Sequence, residues 1–143
     1  KAMAKLQSQS TSNPCSIAQA AATAALNGPQ DLLEDRNEAF RERRDMVVAM
    51  LNDAPGLSCP TPEGAFYVYP DASGCMGKKT PDGTVINDDA ALIDYFITAA
   101  RVAAVPGSAF GLSPAFRISY ATSLDLLKEA CRRIQIACAD LKA

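Results

Sequence analysis

Arg117 lies in the segment Ala115-Phe116-Arg117-Ile118-Ser119-Tyr120-Ala121, a single guanidinium among apolar and small residues. Read as a strand, the segment puts Phe116, Ile118 and Tyr120 on one face and Ala115, Arg117, Ser119 and Ala121 on the other. The first face is bulky enough to be core. The second leaves room beside the arginine, and a guanidinium in that setting can grip a carboxylate through two parallel hydrogen bonds. The same pattern suits a structural ion pair with one of the sixteen acidic residues, so residue type alone leaves both readings open.

Two other stretches have the composition of ligand walls. Gly64-Ala65-Phe66 and Gly107-Ser108-Ala109-Phe110-Gly111 set glycines beside phenylalanine, and a glycine next to a strand lets backbone come close to a ligand. Phe66 and Phe110 can wall an apolar pocket, and can equally be core. The second stretch has neither the length nor the lysine of a phosphate loop. Asp88 and Asp89 adjoin a helix start, where capping is role enough.

Composition narrows the chemistry. The 143 residues carry a net charge of −2 and contain no histidine, so Cys/His zinc sites and histidine-dependent triads within the chain are excluded. There is no basic excess to attract a nucleic-acid backbone. No apolar run approaches the ~20 residues that span a bilayer. The five cysteines, Cys15, Cys59, Cys75, Cys131 and Cys138, form no CxxC motif and are expected to be buried thiols of a cytoplasmic protein.

The elements that must position these residues follow from periodicity and punctuation. KAMAKLQ reads as the last turn of a helix and is followed by a polar run at 7–12, so the chain is expected to be a fragment of something longer. Asn13 and Pro14 predict a helix start, with an alanine-rich helix over 14–26 whose smooth face (Ile17, Ala20, Ala21, Ala24, Ala25) suits close packing inside the chain or against another subunit or domain. A long helix is predicted over 30–53, with Leu33, Phe40, Val47, Met50 and Leu51 as its apolar stripe and ion pairs Glu38–Arg41 and Arg41–Asp45 on its polar side. Short strands are predicted at 57–59, 65–69, 102–105 and 115–121, with Phe66 and Val68 facing one way and Tyr67 and Tyr69 the other. Residues 71–88 read as an exposed excursion with a hairpin at Pro81-Asp82-Gly83, and helices follow from Asn87 or Asp88 to about Ala100 and from a Ser123 cap onward. The order implies a two-layer α+β fold, a small sheet covered on one face by helices.

Taken together and in order, QSQSTSNPCSIAQAAA, PEGAFYVYP, VAAVPGSAFG and FRISYATS resemble the class I pyridoxal-phosphate aminotransferases, in the bacterial branch that acts on aspartate and in some members on prephenate. The resemblance covers essentially the whole chain. It implies the small domain of a fold-type I transferase, with residues 1–29 as connecting segment and helix on the large-domain side and 30–143 as the C-terminal small domain. It further implies that Arg117 binds the substrate α-carboxylate, that Phe66 lies near the substrate, and that Phe110 borders the entrance. Ser10, Thr11, Ser12 and Asn13 would lie near the subunit interface of a homodimer. The family's Schiff-base lysine and main cofactor ligands fall before this segment; Lys1 and Lys5 lie beyond the expected position of that lysine. No catalytic, cofactor-binding or metal-binding residue is therefore assigned here. Pyridoxal 5'-phosphate, amino acid and 2-oxo acid substrates belong to the full-length enzyme, and the chain alone is expected to be inactive. The rival expectation is a stand-alone α+β module in which Arg117 grips some other acid.

Overall fold

The computed structural model describes residues 1–11 and 13–143. They form two compact units, Lys1–Arg36 and Asn37–Ala143.

The first unit is helical. Helix α1 spans Ala2–Ser10 and α2 spans Ser16–Asn27. The polar run at 7–12 does not end α1 where expected: the Ser8 and Ser10 hydroxyls donate to the carbonyls of Lys5 and Leu6 at 2.9 and 2.7 Å, which lets serines ride on a helix. Helix α2 begins two residues later than predicted, with Cys15 and not Asn13 at the N-cap, and the Gln19 amide donates back to the Pro14 carbonyl at 2.7 Å. None of its residues is buried, and Ile17 is 80% exposed, so its smooth face is not packed inside the chain. Ser12 lies outside the described residues.

Helix α3 spans Leu32–Asn52 and runs into the second unit. Val47, Val48 and Leu51 are buried, with Phe40 and Met50 packed partly against them, whereas Leu33 is exposed. Glu38 pairs with Arg41 as spaced, but Asp45 is taken by its neighbour Arg44 at 2.7 Å and not by Arg41.

The sheet has three antiparallel strands, β1 (Tyr67–Val68), β2 (Val105–Pro106) and β3 (Phe116–Ser119), in the order β1-β3-β2. The strands are shorter than predicted, for identifiable reasons. Ala65 has φ of 59°, a left-handed bend that stops β1 short of it. The predicted strand at 57–59 is a single bridge, Ser58 to Asp71, because the Asn52 side-chain amide takes both backbone groups of Cys59, at 2.8 and 2.9 Å, in place of a neighbouring strand.

Helix α4 (Asp89–Tyr95) is capped by Asp88, whose carboxylate accepts the Ala91 N–H at 2.8 Å. It continues as a wider turn over Phe96–Ala100 and ends on Arg101 in the left-handed region. Helix α5 (Leu124–Ala139) is capped by Ser123 and buries Leu127, Cys131, Ile134, Ala137 and Cys138. Helices α3, α4 and α5 and one face of the sheet share a core centred on Phe96, Phe116, Val68 and Ile134. The segment at 71–88 contributes to that core and is not a plain surface excursion. Ala72, Cys75 and Ile86 are buried, although the hairpin at Asp82-Gly83 forms as expected, with the Thr80 N–H on the Thr84 carbonyl. Of the five thiols Cys15 is exposed, and burial pushes those of Cys59 and Cys131 up to about 11, so these two stay protonated at neutral pH. Among the described residues no helix is long and apolar enough to cross a membrane.

Candidate functional site

Strand register decides what surrounds Arg117. In the β1–β3 pair Tyr67 lies opposite Ser119 and Val68 opposite Ile118. Directly opposed residues share a face, so Tyr67 stands on the face of Ser119 and Arg117, while Val68 goes inward with Phe116 and Tyr120. Across β3, Arg117 faces Val105 of β2. The alternation expected for β3 holds in part: Phe116 and Tyr120 are buried and Ser119 is exposed, but Ala115 on the face of Arg117 is buried, and Ile118 is half-buried like Arg117 itself.

The surroundings are not small, as the sequence of β3 alone suggests. The guanidinium carbon of Arg117 lies 4.4 Å from the centroid of the Tyr67 ring and 4.4 Å from that of Phe110. Phe66 stacks on Tyr67 with ring centroids 4.5 Å apart, and Tyr69 meets Phe110 edge-on at 6.3 Å. Two aromatic rings thus flank the cation, and each has a second ring against it. Phe66 and Phe110 are not core residues: they are 42% and 50% exposed. Arg117 and Phe110 come together directly, and Phe66 joins them through Tyr67.

Aromatic faces attract a guanidinium but accept none of its N–H hydrogen bonds in the plane, where the fork points. Among the described residues no carboxylate pairs with Arg117, nor with Arg36, Arg43 or Arg101, whereas Arg41, Arg44, Arg132 and Arg133 each have one. The structural ion pair that the sequence left open is therefore not formed. A half-buried, fixed cation with its donor edge free of protein acceptors is suited to a planar anion such as a carboxylate.

Phe110 is carried by a tight turn over Gly107–Phe110, closed by Gly111 at φ of 79°. The Gly107 N–H donates to the Ala115 carbonyl at 2.7 Å. The Tyr69 hydroxyl donates to the carbonyls of Gly107 and Leu112, at 3.0 and 3.2 Å. A β-carbon at Gly107 would stand 2.1 Å from the Leu112 carbonyl oxygen, so close an approach of backbone to backbone demands glycine there. The Ser108 N–H donates to the buried Asp89 carboxylate at 2.6 Å. Burial would push that carboxyl up, but hydrogen bonds from Ser108 and Ser113 outweigh it and hold it below the usual carboxylate range.

Sequence reading missed the roles of Tyr67, Tyr69 and Asp89. The alternation of 65–69 already put the two tyrosines on one face; what it lacked was the pairing of that face with the face of Arg117. Asp88 caps the helix, one of the two residues expected to do so, whereas Asp89 beside it turns to Ser108.

Residues 1–134 match the family described as aminotransferase class I and II. The chain is 60% identical over 141 residues to an aspartate/prephenate aminotransferase of Cereibacter sphaeroides, covering 99% of this chain and 35% of that protein. It superposes on the crystal structure of the aspartate aminotransferase of Rhizobium meliloti with a TM-score of 0.90 at 57% identity, over 99% of this chain and 35% of that one. The aspartate aminotransferase of Thermus thermophilus with maleate gives a TM-score of 0.77 at 35% identity, over 95% and 33%. The chain thus spans about a third of the length of these relatives. With residues 1–134 matching the family and the fold superposing on a solved aminotransferase at more than half identity, the chain belongs to the class I and II aminotransferase family.

Proposed function

We propose that this chain is the carboxylate-recognition part of a pyridoxal-phosphate-dependent aminotransferase that moves an amino group between aspartate, or a related amino acid, and 2-oxoglutarate. Residues 30–143 form its C-terminal small domain, and residues 1–29 connect to the large-domain side. Arg117 receives the substrate α-carboxylate; Phe66 and Phe110 line the approach. The full-length protein works as a cytoplasmic homodimer, with Ser10, Thr11, Ser12 and Asn13 near the subunit boundary.

The observation that carries this reading is the setting of Arg117, a cation between aromatic rings with no carboxylate partner among the described residues. A carboxylate held at both oxygens by the guanidinium fork also has its Cα–H bond fixed in direction, and that is the bond broken in amino transfer. Positioning of this kind accounts for a large share of many enzymatic barriers. The side chains around Arg117 do not fit pyridoxal phosphate itself. Tyr67, Phe110, Phe66 and Tyr69 offer neither an amine for its aldehyde nor a cradle of N–H donors for its phosphate, so no step through the cofactor is assigned to this chain.

The test is Arg117→Ala in the full-length protein. Two charge-assisted hydrogen bonds are lost, each contributing about 1.5–3 kcal/mol, so KM for dicarboxylic and monocarboxylic amino acids alike rises by roughly a hundredfold or more. An unchanged KM for both classes refutes the role.

A further inference from the structure

Asp89 takes no part in the function proposed above, yet it is 1% exposed, and among the described residues Thr80 is the other buried polar side chain. A buried carboxylate is costly unless its oxygens are hydrogen-bonded. No lysine or arginine pairs with this one among the described residues, and the cap of α4 is supplied by Asp88. It accepts instead from the turn that carries Phe110, through the Ser108 N–H at 2.6 Å, and from Ser113 beyond that turn.

We infer that Asp89 is a positioning residue for carboxylate recognition, its side chain anchoring the turn Gly107–Phe110 so that the Phe110 ring lies against the Arg117 guanidinium. The inference rests on the carboxylate role proposed for Arg117. The turn is tied down at three points of its backbone. Asp89 accepts from the Ser108 N–H, Tyr69 donates to the Gly107 carbonyl, and the Gly107 N–H reaches the Ala115 carbonyl on the approach to β3. Two of these ties come from residues that flank the strands β1 and β3, Tyr69 and Ala115. Asp89 supplies the one from α4, so it couples that helix to the ring over the guanidinium without touching a ligand. Without it the turn keeps its glycine-dependent close approach but loses the contact that sets how far Phe110 leans over Arg117. The donor edge of the arginine then loses its fixed direction, and a two-bond grip on a planar carboxylate is sensitive to that direction.

The experiment uses the full-length protein and measures the Kd of succinate, a dicarboxylate with no amino group to transfer, by calorimetry. Asp89→Ala is expected to weaken succinate by roughly fivefold, the order of one lost cation–π contact. Asp89→Asn, which keeps an oxygen to accept the Ser108 N–H, is expected to bind within about twofold of the unmodified protein. In a Phe110→Ala background, Asp89→Ala is expected to add nothing further, the signature of two residues acting through one contact. Where Asp89→Ala does not fold, Asp89→Ser replaces it: serine keeps a hydroxyl at the helix start but is too short to take over the tie. Unchanged affinity in the Ala or Ser variant, an Asn variant no better than Ala, or equal losses with and without Phe110 overturns the inference. Arg117→Lys separates the two levels. If it leaves the succinate Kd unchanged, the carboxylate reading fails and Asp89 with it; if it weakens succinate while Asp89→Ala does not, the Asp89 inference fails alone.

Discussion

The arginines of α5 and the arginine of β3 occupy opposite kinds of site. Arg132 and Arg133 both reach Glu129, at 2.8 Å each, just under and just over one helical turn along an exposed face. Arg117 is half-buried, has rings against it at 4.4 Å, and has no carboxylate partner among the described residues. On the helix, the charges follow from spacing: residues three and four apart meet, and the resulting pairs are solvated and weak. On the sheet, the cation is placed by register and held by aromatic faces, which fix its position and leave its hydrogen-bonding capacity unused. Arg43, over the Phe40 ring at 5.2 Å, also has no carboxylate partner among the described residues, so what sets Arg117 apart is its place between two rings on the open face of the sheet.

The sharpest way to break that contrast is the same conservative substitution at both places. Arg117→Lys keeps the charge but removes the planar fork, and is expected to raise the succinate Kd of the full-length protein about tenfold or more, the cost of at least one charge-assisted hydrogen bond. Arg132→Lys is expected to leave that Kd unchanged, since a lysine on a solvated helix face still finds Glu129 or water. Equal effects at the two positions would erase the distinction between a binding arginine and a surface one.

A finer test removes the rings and keeps the arginine. Phe110→Leu preserves apolar bulk on the turn but not the π-face, and a cation–π contact at a partly exposed site contributes about 0.5–1 kcal/mol, or roughly two- to fivefold in Kd. The melting temperature is expected to move little, because Phe110 is half exposed and outside the core. A large fall in melting temperature with unchanged succinate affinity would make the ring a packing element and Arg117 indifferent to it.

How far these features were legible in the sequence depended on the range of the interaction that creates them. Local signals read well: Ser123 caps α5, and the period of two along β3 separates Arg117 from the buried Phe116 and Tyr120. Strand lengths read poorly, because they were settled by particular competitors: the Asn52 amide at Cys59, and the left-handed Ala65 at the start of β1. The site was half legible. Arg117 and Phe110 stood out by type and by flanking glycines, but their contact depends on a turn tied to residues 19 and 38 positions away in the chain, Asp89 and Tyr69. Nothing in the local pattern marks such a tie. The same holds for Asp45, which spacing assigned to Arg41 and which side-chain geometry gave to Arg44.

The smallest effect belongs to the helix side of the comparison. Hydrogen bonds from Arg132 and Arg133 draw the Glu129 carboxyl down from 4.5 to about 2. A group whose folded value is depressed adds stability above its unfolded value and loses it as pH falls through the folded one. The contribution of Glu129 is therefore present above about pH 4.5 and fades between there and about pH 2. Glu129→Gln removes the titration, so the melting temperatures of the two proteins are expected to differ slightly at pH 7 and to converge as the pH drops through that window. Salt is expected to shrink the difference at pH 7, because both partners lie in water. Succinate affinity is expected to stay put throughout. A variant at Glu129 that altered it would mean that the exposed face of α5 and the open face of the sheet are not the independent regions their contacts make them.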